Sequence, residues 1–290
     1  MKPILIINAP HKVLLDGLAS KNIPFDEDYT SSYNELKRKL KNYDGLVLRS
    51  RISLDESFLK EGTHLKFIAR EGVGLDHIDV DFCKQAGIPI IISPEGSKDT
   101  VGEHAIGMLL NLMNHLTRCS IQVKSDQWKR EENRAWELKG KTIGIIGYGN
   151  MGQSFAQKIS GFGVHVIAYD KYRENYSDDF AKEVSLAELQ EQADVVSLHI
   201  PLDEHNKYFI DESFFQHLKK PIFFVNTARG LVLKTAALVS AMKNQQVIAA
   251  ALDVLEYEDS SFDKLMDLES LRSESSDYRY LVDSEQVLLS

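Results

Sequence analysis

A glycine-spaced hexapeptide, Gly147-Tyr148-Gly149-Asn150-Met151-Gly152, follows directly on the run Lys141-Thr142-Ile143-Gly144-Ile145-Ile146 and leads into a helix-compatible stretch from Gln153 to Ser160. Glycine-rich turns are common, so the hexapeptide alone says little. Between a strand and a helix, each glycine acquires a reason. Gly147 permits a tight turn, Gly149 lets the backbone approach a pyrophosphate, and Gly152 lets the helix pack close to the strand. The helix N-terminus, at Asn150 and Met151, offers free amides and a positive dipole end to phosphates. The next apolar run, His165–Tyr169, ends on Asp170, at about the separation this type of unit sets between its glycines and a ribose-binding acid. A carboxylate there accepts from a 2′-hydroxyl and repels a 2′-phosphate, so NAD is preferred over NADP. Lys171 and Arg173 could soften that repulsion, but a surface charge run is the simpler reading for them. The competing reading is a structural turn followed by an incidental aspartate. Strand, turn, helix, strand and acid in register weigh against it.

The rest of the chain has the same rhythm. Short β-branched runs alternate with amphipathic stretches, the pattern of α/β folds with parallel sheets. In the first third the strands are expected at Ile4–Asn8, Gly45–Arg49, Leu65–Ala69 and Ile88–Ile92, with helices at about Lys12–Lys21, Ser32–Asn42, Asp55–Glu61 and Asp79–Ala86. Gly87 suits a left-handed helix stop. One long helix is expected from about Thr100 to Lys124, with Val101, Ala105, Met108, Leu109, Leu112 and Leu116 at helical spacing. A second series follows, with strands at Thr142–Gly147, His165–Tyr169, Val195–His199, Ile222–Asn226 and Val247–Leu252. These are nearly all apolar, as in strands covered on both faces. Two doubly wound parallel-sheet domains are therefore expected, 1–99 and 100–285. The acidic, weakly periodic Glu256–Glu285 reads as a solvated loop with a helical turn or two. Gln286-Val287-Leu288-Leu289-Ser290 reads as a further strand, and 286–290 is expected to begin a return to the first domain.

Composition narrows the function classes. The 290 residues carry 34 Lys and Arg against 43 Asp and Glu, a net charge of −9. That disfavours a general nucleic-acid binder, which needs a basic surface, and docking on an anionic membrane. The longest apolar stretches, such as Ile4–Ile7 and Gly107–Met113, fall far short of the roughly 20 residues of a spanning helix. No secretory leader is legible at Met1–Asn8, and two cysteines, Cys83 and Cys119, make neither a disulfide framework nor a metal knuckle. The expectation is a soluble, cytoplasmic protein with no metal.

The stretches KGKTIGIIGYGNMG, ADVVSLHIPL, VNTARGLVL and AALDVLEYED, preceded by LRSRISL, AREGVGLDHIDVDFCKQAGIPI and PEGSKDTVGEHAIGMLL, together resemble the D-isomer-specific 2-hydroxyacid dehydrogenases, most closely their phosphoglycerate dehydrogenase branch. The resemblance runs through nearly the whole chain in the family's order. It implies a flavodoxin-like substrate domain and an inserted Rossmann NAD-binding domain. Residue by residue, it implies Arg229 as the catalytic arginine and Glu258 as the catalytic glutamate, with Glu256 as the neighbouring competitor. Asp259 stands where the family usually has proline. The cofactor residues implied are Gly147, Gly149, Asn150, Met151, Gly152, Asp170, His199, Pro201, Thr227, Ala228, Arg229 and Asp253. The substrate residues implied are Arg49, Arg51, Val73, Gly74 and Arg229. Physical chemistry supports several of these. A planar guanidinium at a strand's C-terminal edge can grip a 2-oxo acid through two oxygens, and successive free amides at Gly72-Val73-Gly74 would form an anion nest. Arg49 and Arg51 could reach a distal phosphate, or simply form a solvated pair.

Oxidising a secondary alcohol needs a base, and imidazole suits neutral pH. The resemblance puts that histidine in a Pro-His step just after Val287-Leu288-Leu289-Ser290, and none of the nine histidines present fills the slot. His199, His104 and His77 read as packed or capping residues, with His199 the first substitute to consider. The expectation is that these 290 residues bind NAD but turn over poorly. The reading is thus an NAD-dependent interconversion of a D-2-hydroxy acid and its 2-oxo acid, with 3-phosphoglycerate at the entry to serine synthesis as the leading substrate. Lactate, glycerate and glyoxylate types are the alternatives. Two rivals remain: a non-catalytic NAD(H)-sensing protein on the same scaffold, and an NAD-containing hydrolase similar to adenosylhomocysteinase. By resemblance, the Thr100–Lys124 region pairs subunits in a homodimer.

Overall fold

Short aliphatic runs build two parallel sheets, and the chain divides into two units between Ser97 and Lys98. The computed structural model describes residues 2–258 and 268–290.

In the first unit the strands are β1 (Ile4–Ile6), β2 (Phe25–Glu27), β3 (Gly45–Leu48), β4 (Phe67–Arg70) and β5 (Ile90–Ile92). They lie parallel in the order β2-β1-β3-β4-β5, the flavodoxin-like arrangement. Side chains alternate across the sheet: Leu5, Leu46, Leu48 and Ile68 enter one core with Leu36 and Phe58, while Ile4, Ile6 and Val47 enter the other. Both faces are covered, which is why the strands carry no polar alternation. The exception is β2, absent from the sequence reading. It is an edge strand whose Asp26 and Glu27 are exposed, so it presents no apolar run. Helix starts are fixed by side chains: Ser32 and Glu35 form a reciprocal capping box, and Asp55 and Asp79 accept from Phe58 and Phe82 N–H. Gly87, at φ +70°, closes the Val80–Ala86 helix as expected.

In the second unit the strands are β6 (Thr142–Ile146), β7 (His165–Tyr169), β8 (Lys182–Glu183), β9 (Val195–Leu198), β10 (Ile222–Asn226), β11 (Val247–Leu252) and β12 (Val287–Leu289). They are parallel, in the order β12-β11-β10-β9-β6-β7-β8. Ile146, Val196, Leu198, Phe224 and Leu252 face one apolar layer, and Ile143, Ile145, Val195, Phe223 and Val225 face the other.

Val287–Leu289, expected as a further strand, pairs with β11 as the edge strand of the second sheet, Ala250 opposite Val287. Two expectations are corrected. The long helix is two, Lys98–Asn114 and Leu116–Lys124, separated by His115 in the left-handed region at φ +55°. The Asn111 side chain stabilises the break, accepting from Thr117 N–H and donating to Thr117 Oγ1. The described part of Glu256–Glu285 is more ordered than a solvated loop. It holds the helices Leu268–Glu274 and Ser276–Asp283, and Tyr278 and Leu281 are buried. Asp259, where the family pattern departs, lies outside the described residues. Among the described residues, no helix is long and apolar enough to cross a membrane.

Candidate active site

The turn after β6 is held by close backbone packing. Gly147 has φ +93°, and a Cβ there would lie 2.7 Å from the His199 carbonyl oxygen and 2.6 Å from Ile200 Cγ2. A Cβ on Gly152 would lie 2.1 Å from the Gly147 carbonyl oxygen, so the Asn150–Ile159 helix is pressed onto the turn it follows. Gly149 precedes that helix in extended conformation, and open space surrounds its Cβ direction. The helix therefore starts, at Asn150 and Met151, without a side-chain cap on its first amides.

Asp170 ends β7 beside this turn. Its Oδ2 accepts from Tyr148 N–H at 2.8 Å, and its Oδ1 accepts from the N–H groups of Tyr172 and Arg173. A carboxylate offers about four acceptor sites, so one on Oδ2 is left over after these three bonds. Tyr148 is fully buried beneath, its hydroxyl donating to Asp178 and its ring packed against Tyr176. Burial, then the bond to Asp178, pushes its pKa up. Arg173 is more than surface charge: its guanidinium donates to the Tyr148 carbonyl. A cavity opens here, walled by Gly149, Asp170, His199, Pro201, Asn206 and Phe209, with Tyr169 and Phe209 stacked at 14°.

His199 sits at the end of β9, its Nε2 2.9 Å from Ser197 Oγ and its ring 5.0 Å from Phe155. Desolvation pushes its pKa down to about 3. It is a neutral, packed ring near pH 7 and a poor general base.

The loops after β10 and β11 form the other half of the site. Asn226 is wholly buried; its Oδ1 accepts from Ala228 N–H at 3.0 Å, and its Nδ2 donates to the Arg229 carbonyl at 3.1 Å. Its own carbonyl accepts from Asp253 N–H at 3.0 Å. One residue thus fixes the backbone that carries Thr227, Ala228, Arg229 and Asp253. The Arg229 guanidinium is half-buried, with one Nη1 contact to the Ala228 carbonyl at 2.7 Å. Beside it, a Cβ on Gly230 would lie 1.9 Å from the Leu255 carbonyl oxygen, so the two loops touch main chain to main chain. Glu258 curls back, Oε1 accepting from Leu255 N–H. Its competitor Glu256 is committed elsewhere. Its carboxylate accepts from the Tyr208 hydroxyl at 2.6 Å and from Thr235 N–H at 2.9 Å, at the start of the Thr235–Lys243 helix.

These residues fit a dinucleotide. The open space at Gly149 would be filled by a side chain, Asp170 keeps a free acceptor position, and Thr227 Oγ1 is buried with no hydrogen-bond partner.

In the first unit, Val73 and Gly74 lie in the half-buried bend after β4, where Gly72 takes φ +142°. Arg49 pairs with Glu71 at 3.2 Å. Arg51 is not a free cation: its guanidinium donates to the carbonyls of Ile7, Asp28 and Ser31. Sequence reasoning overlooked Asn226 and Gly230's packing role, although both lie in the quoted Asn226-Thr227-Ala228-Arg229-Gly230. It also overlooked that His104 Nε2 lies 3.0 Å from Asp253 Oδ1.

The profile described as D-isomer specific 2-hydroxyacid dehydrogenase, NAD binding domain, matches residues 106–273. Hydroxypyruvate reductase of Thermotoga maritima is 36% identical over 225 residues, covering 78% of this chain and 73% of that protein. D-3-phosphoglycerate dehydrogenase of Bacillus subtilis is 34% identical over 248 residues, covering 84% of this chain. The alignment takes in 47% of that relative, so this chain spans about half its length. Among solved structures, a D-lactate dehydrogenase from Aquifex aeolicus complexed with NAD and lactic acid superimposes with a TM-score of 0.81 at 28% identity. That match covers 99% of this chain and 87% of the other.

Proposed function

This chain belongs to the D-isomer-specific 2-hydroxyacid dehydrogenase family, and from that premise we propose that it interconverts a D-2-hydroxy acid and its 2-oxo acid with NAD. The observation that carries the reading is the main-chain contact at Gly230, which holds the Arg229 loop against the loop of Asp253 and Glu258. Asp170 accepts from the adenosine ribose, and the first amides of the Asn150–Ile159 helix take the pyrophosphate. Pro201 and His199 line the cofactor side; Thr227, Ala228 and Asp253 hold the nicotinamide end. Nicotinamide, when bound, supplies the hydride acceptor or donor. Arg229 grips the substrate carboxylate and carbonyl oxygen, fixing C2 for transfer. Glu258 would pair with the imidazole base expected after Ser290 and raise its pKa by opposite charge. Val73 and Gly74, in the first unit, are candidates to bind a carboxylate through their amides.

For the substrate, the family branch favours 3-phosphoglycerate, with Arg49 left as the distal phosphate ligand. The engagement of Arg51 by three carbonyls favours a second reading, a small unphosphorylated acid such as hydroxypyruvate. Steady-state NADH oxidation with 3-phosphohydroxypyruvate, hydroxypyruvate, glyoxylate and pyruvate separates the two. Under the first reading, Arg49→Ala raises KM for the phosphorylated acid alone. If the protein extended by the expected Pro-His segment after Ser290 binds NADH but reduces none of these acids, the dehydrogenase reading falls and an NAD(H)-sensing role takes its place. The apolar positions Leu116, Ile121, Val123 and Trp128, exposed around the Leu116–Lys124 helix, are the proposed homodimer surface. Sedimentation of Ile121→Glu as monomer beside a dimeric parent tests it.

A further inference from the structure

Resting on the reading of Asp253 as a nicotinamide contact, we propose that His104 is a positioning residue for the nicotinamide end of the cofactor, aiming the Asp253 carboxylate. The two are 149 residues apart, yet His104 Nε2 and Asp253 Oδ1 are 3.0 Å apart. Asp253 lies one residue past the C-terminal end of β11, the edge where open α/β sheets take ligands. Its backbone is fixed by Asn226, through the N–H to carbonyl bond at 3.0 Å. That bond sets where Asp253 begins but not how its carboxylate rotates. The contact from His104 sets the rotation, leaving Oδ2 as the oxygen presented outward.

The chemistry fixes the proton. An ionised carboxylate has only acceptors, so Nε2 must carry the hydrogen. Ser290 Oγ, 3.2 Å from the same nitrogen, meets it from the end of β12. His104 is itself placed by packing. It rides on the Lys98–Asn114 helix, where Gly102 admits the neighbouring Asn150–Ile159 helix so closely that a Cβ would meet Ser154 Oγ at 2.9 Å. The helix that follows the phosphate-binding turn thus sets the height of the residue that aims Asp253.

The pair is poorly suited to a stabilising role. The His104 and Asp253 side chains are 43% and 35% exposed, and pairs so open add little to stability. They are open enough for a ligand to reach.

The test is NADH binding by fluorescence titration beside ADP-ribose binding by calorimetry, for the parent, His104→Ala and His104→Gln. ADP-ribose has every group of the cofactor except nicotinamide. The expected result is that His104→Ala weakens NADH about fivefold, the worth of one ordinary hydrogen bond, and leaves ADP-ribose unchanged. The amide of His104→Gln can still donate to Asp253, so it restores most of the loss. Equal weakening of both ligands, no weakening of either, or a Gln variant as impaired as Ala overturns the proposal. A parent that binds neither ligand overturns the NAD reading on which it rests, a result distinguishable from all of these.

Discussion

Gly230→Ala is the sharpest perturbation of the site, because it adds one methyl where main chain meets main chain. The new Cβ would start 1.9 Å from the Leu255 carbonyl oxygen and 2.7 Å from the Glu256 nitrogen. Real Cβ contacts essentially never fall below 3.0 Å, so the loops must part by about 1.1 Å, and no flexible side-chain end is available to yield instead. Overpacking of this kind costs typically 1–3 kcal/mol, which for a protein of this size lowers Tm by roughly 2–4 °C per kcal/mol. The larger effect falls on chemistry. Arg229 and Glu258 are carried on opposite sides of the forced gap, and a displacement of about 1 Å can cost on the order of 100-fold in rate. Asp170 and the glycine turn are elsewhere, so ADP-ribose affinity stays within about twofold of the parent, well under the 1.4 kcal/mol of a tenfold change. The assays are thermal unfolding, ADP-ribose calorimetry and kcat/KM for the best 2-oxo acid. A variant with parental Tm and parental kcat/KM would show that the loops are not in contact, and the reasoning from Gly230 would be wrong.

Asp170→Ala should narrow the preference for NAD over NADP, since it removes both the ribose acceptor and the repeller of a 2′-phosphate. Calorimetry with both cofactors checks this, and unchanged discrimination would remove Asp170 from the role. His199 predicts a stability profile: its folded pKa, about 3, lies below the unfolded value near 6.5, so its contribution is full above pH 6.5 and is lost as pH falls toward 3. At pH 5 the loss is on the order of 2 kcal/mol, measured by urea unfolding; His199→Asn should flatten that limb, and an unflattened limb refutes the assignment. Asn226→Asp turns a buried donor toward the Arg229 carbonyl into a charge, costing about 3 kcal/mol or more at pH 7. The cost should shrink at pH 5, where a buried acid protonates and donates again; a cost independent of pH in urea titrations counts against it.

Much of this was legible from the sequence, for reasons that can be given strand by strand. β6, β9, β10 and β11 are buried on both faces, so composition alone marks them, and the glycine turn and Asp170 follow at fixed local offsets. β2 and β8 were not legible, because a two- or three-residue edge strand with exposed charges buries too little to leave a pattern. The break at His115 was hidden because apolar spacing continues through it, and only a backbone angle reveals it. Arg51 was misleading as a prospective phosphate ligand: a cation at a strand end looks the same whether its partners are ligand oxygens or carbonyls from two distant segments. The His104–Asp253 contact joins a helix start to a strand end across 149 residues. No local spacing encodes that.

The order of strands in the second sheet works as a ruler. Asp170 follows β7 and Asp253 follows β11, and β6, β9 and β10 stand between them. Four steps at the usual strand spacing of about 4.8 Å put the two acids roughly 19 Å apart along the edge. The span is set by hydrogen-bonded backbone, so loop changes cannot stretch it, and losing one strand would shorten it by a quarter. A ligand must lie extended to touch both marks. A mononucleotide can occupy either end alone, and the two halves of a dinucleotide are gripped as separate pieces whose union gains from the tether between them.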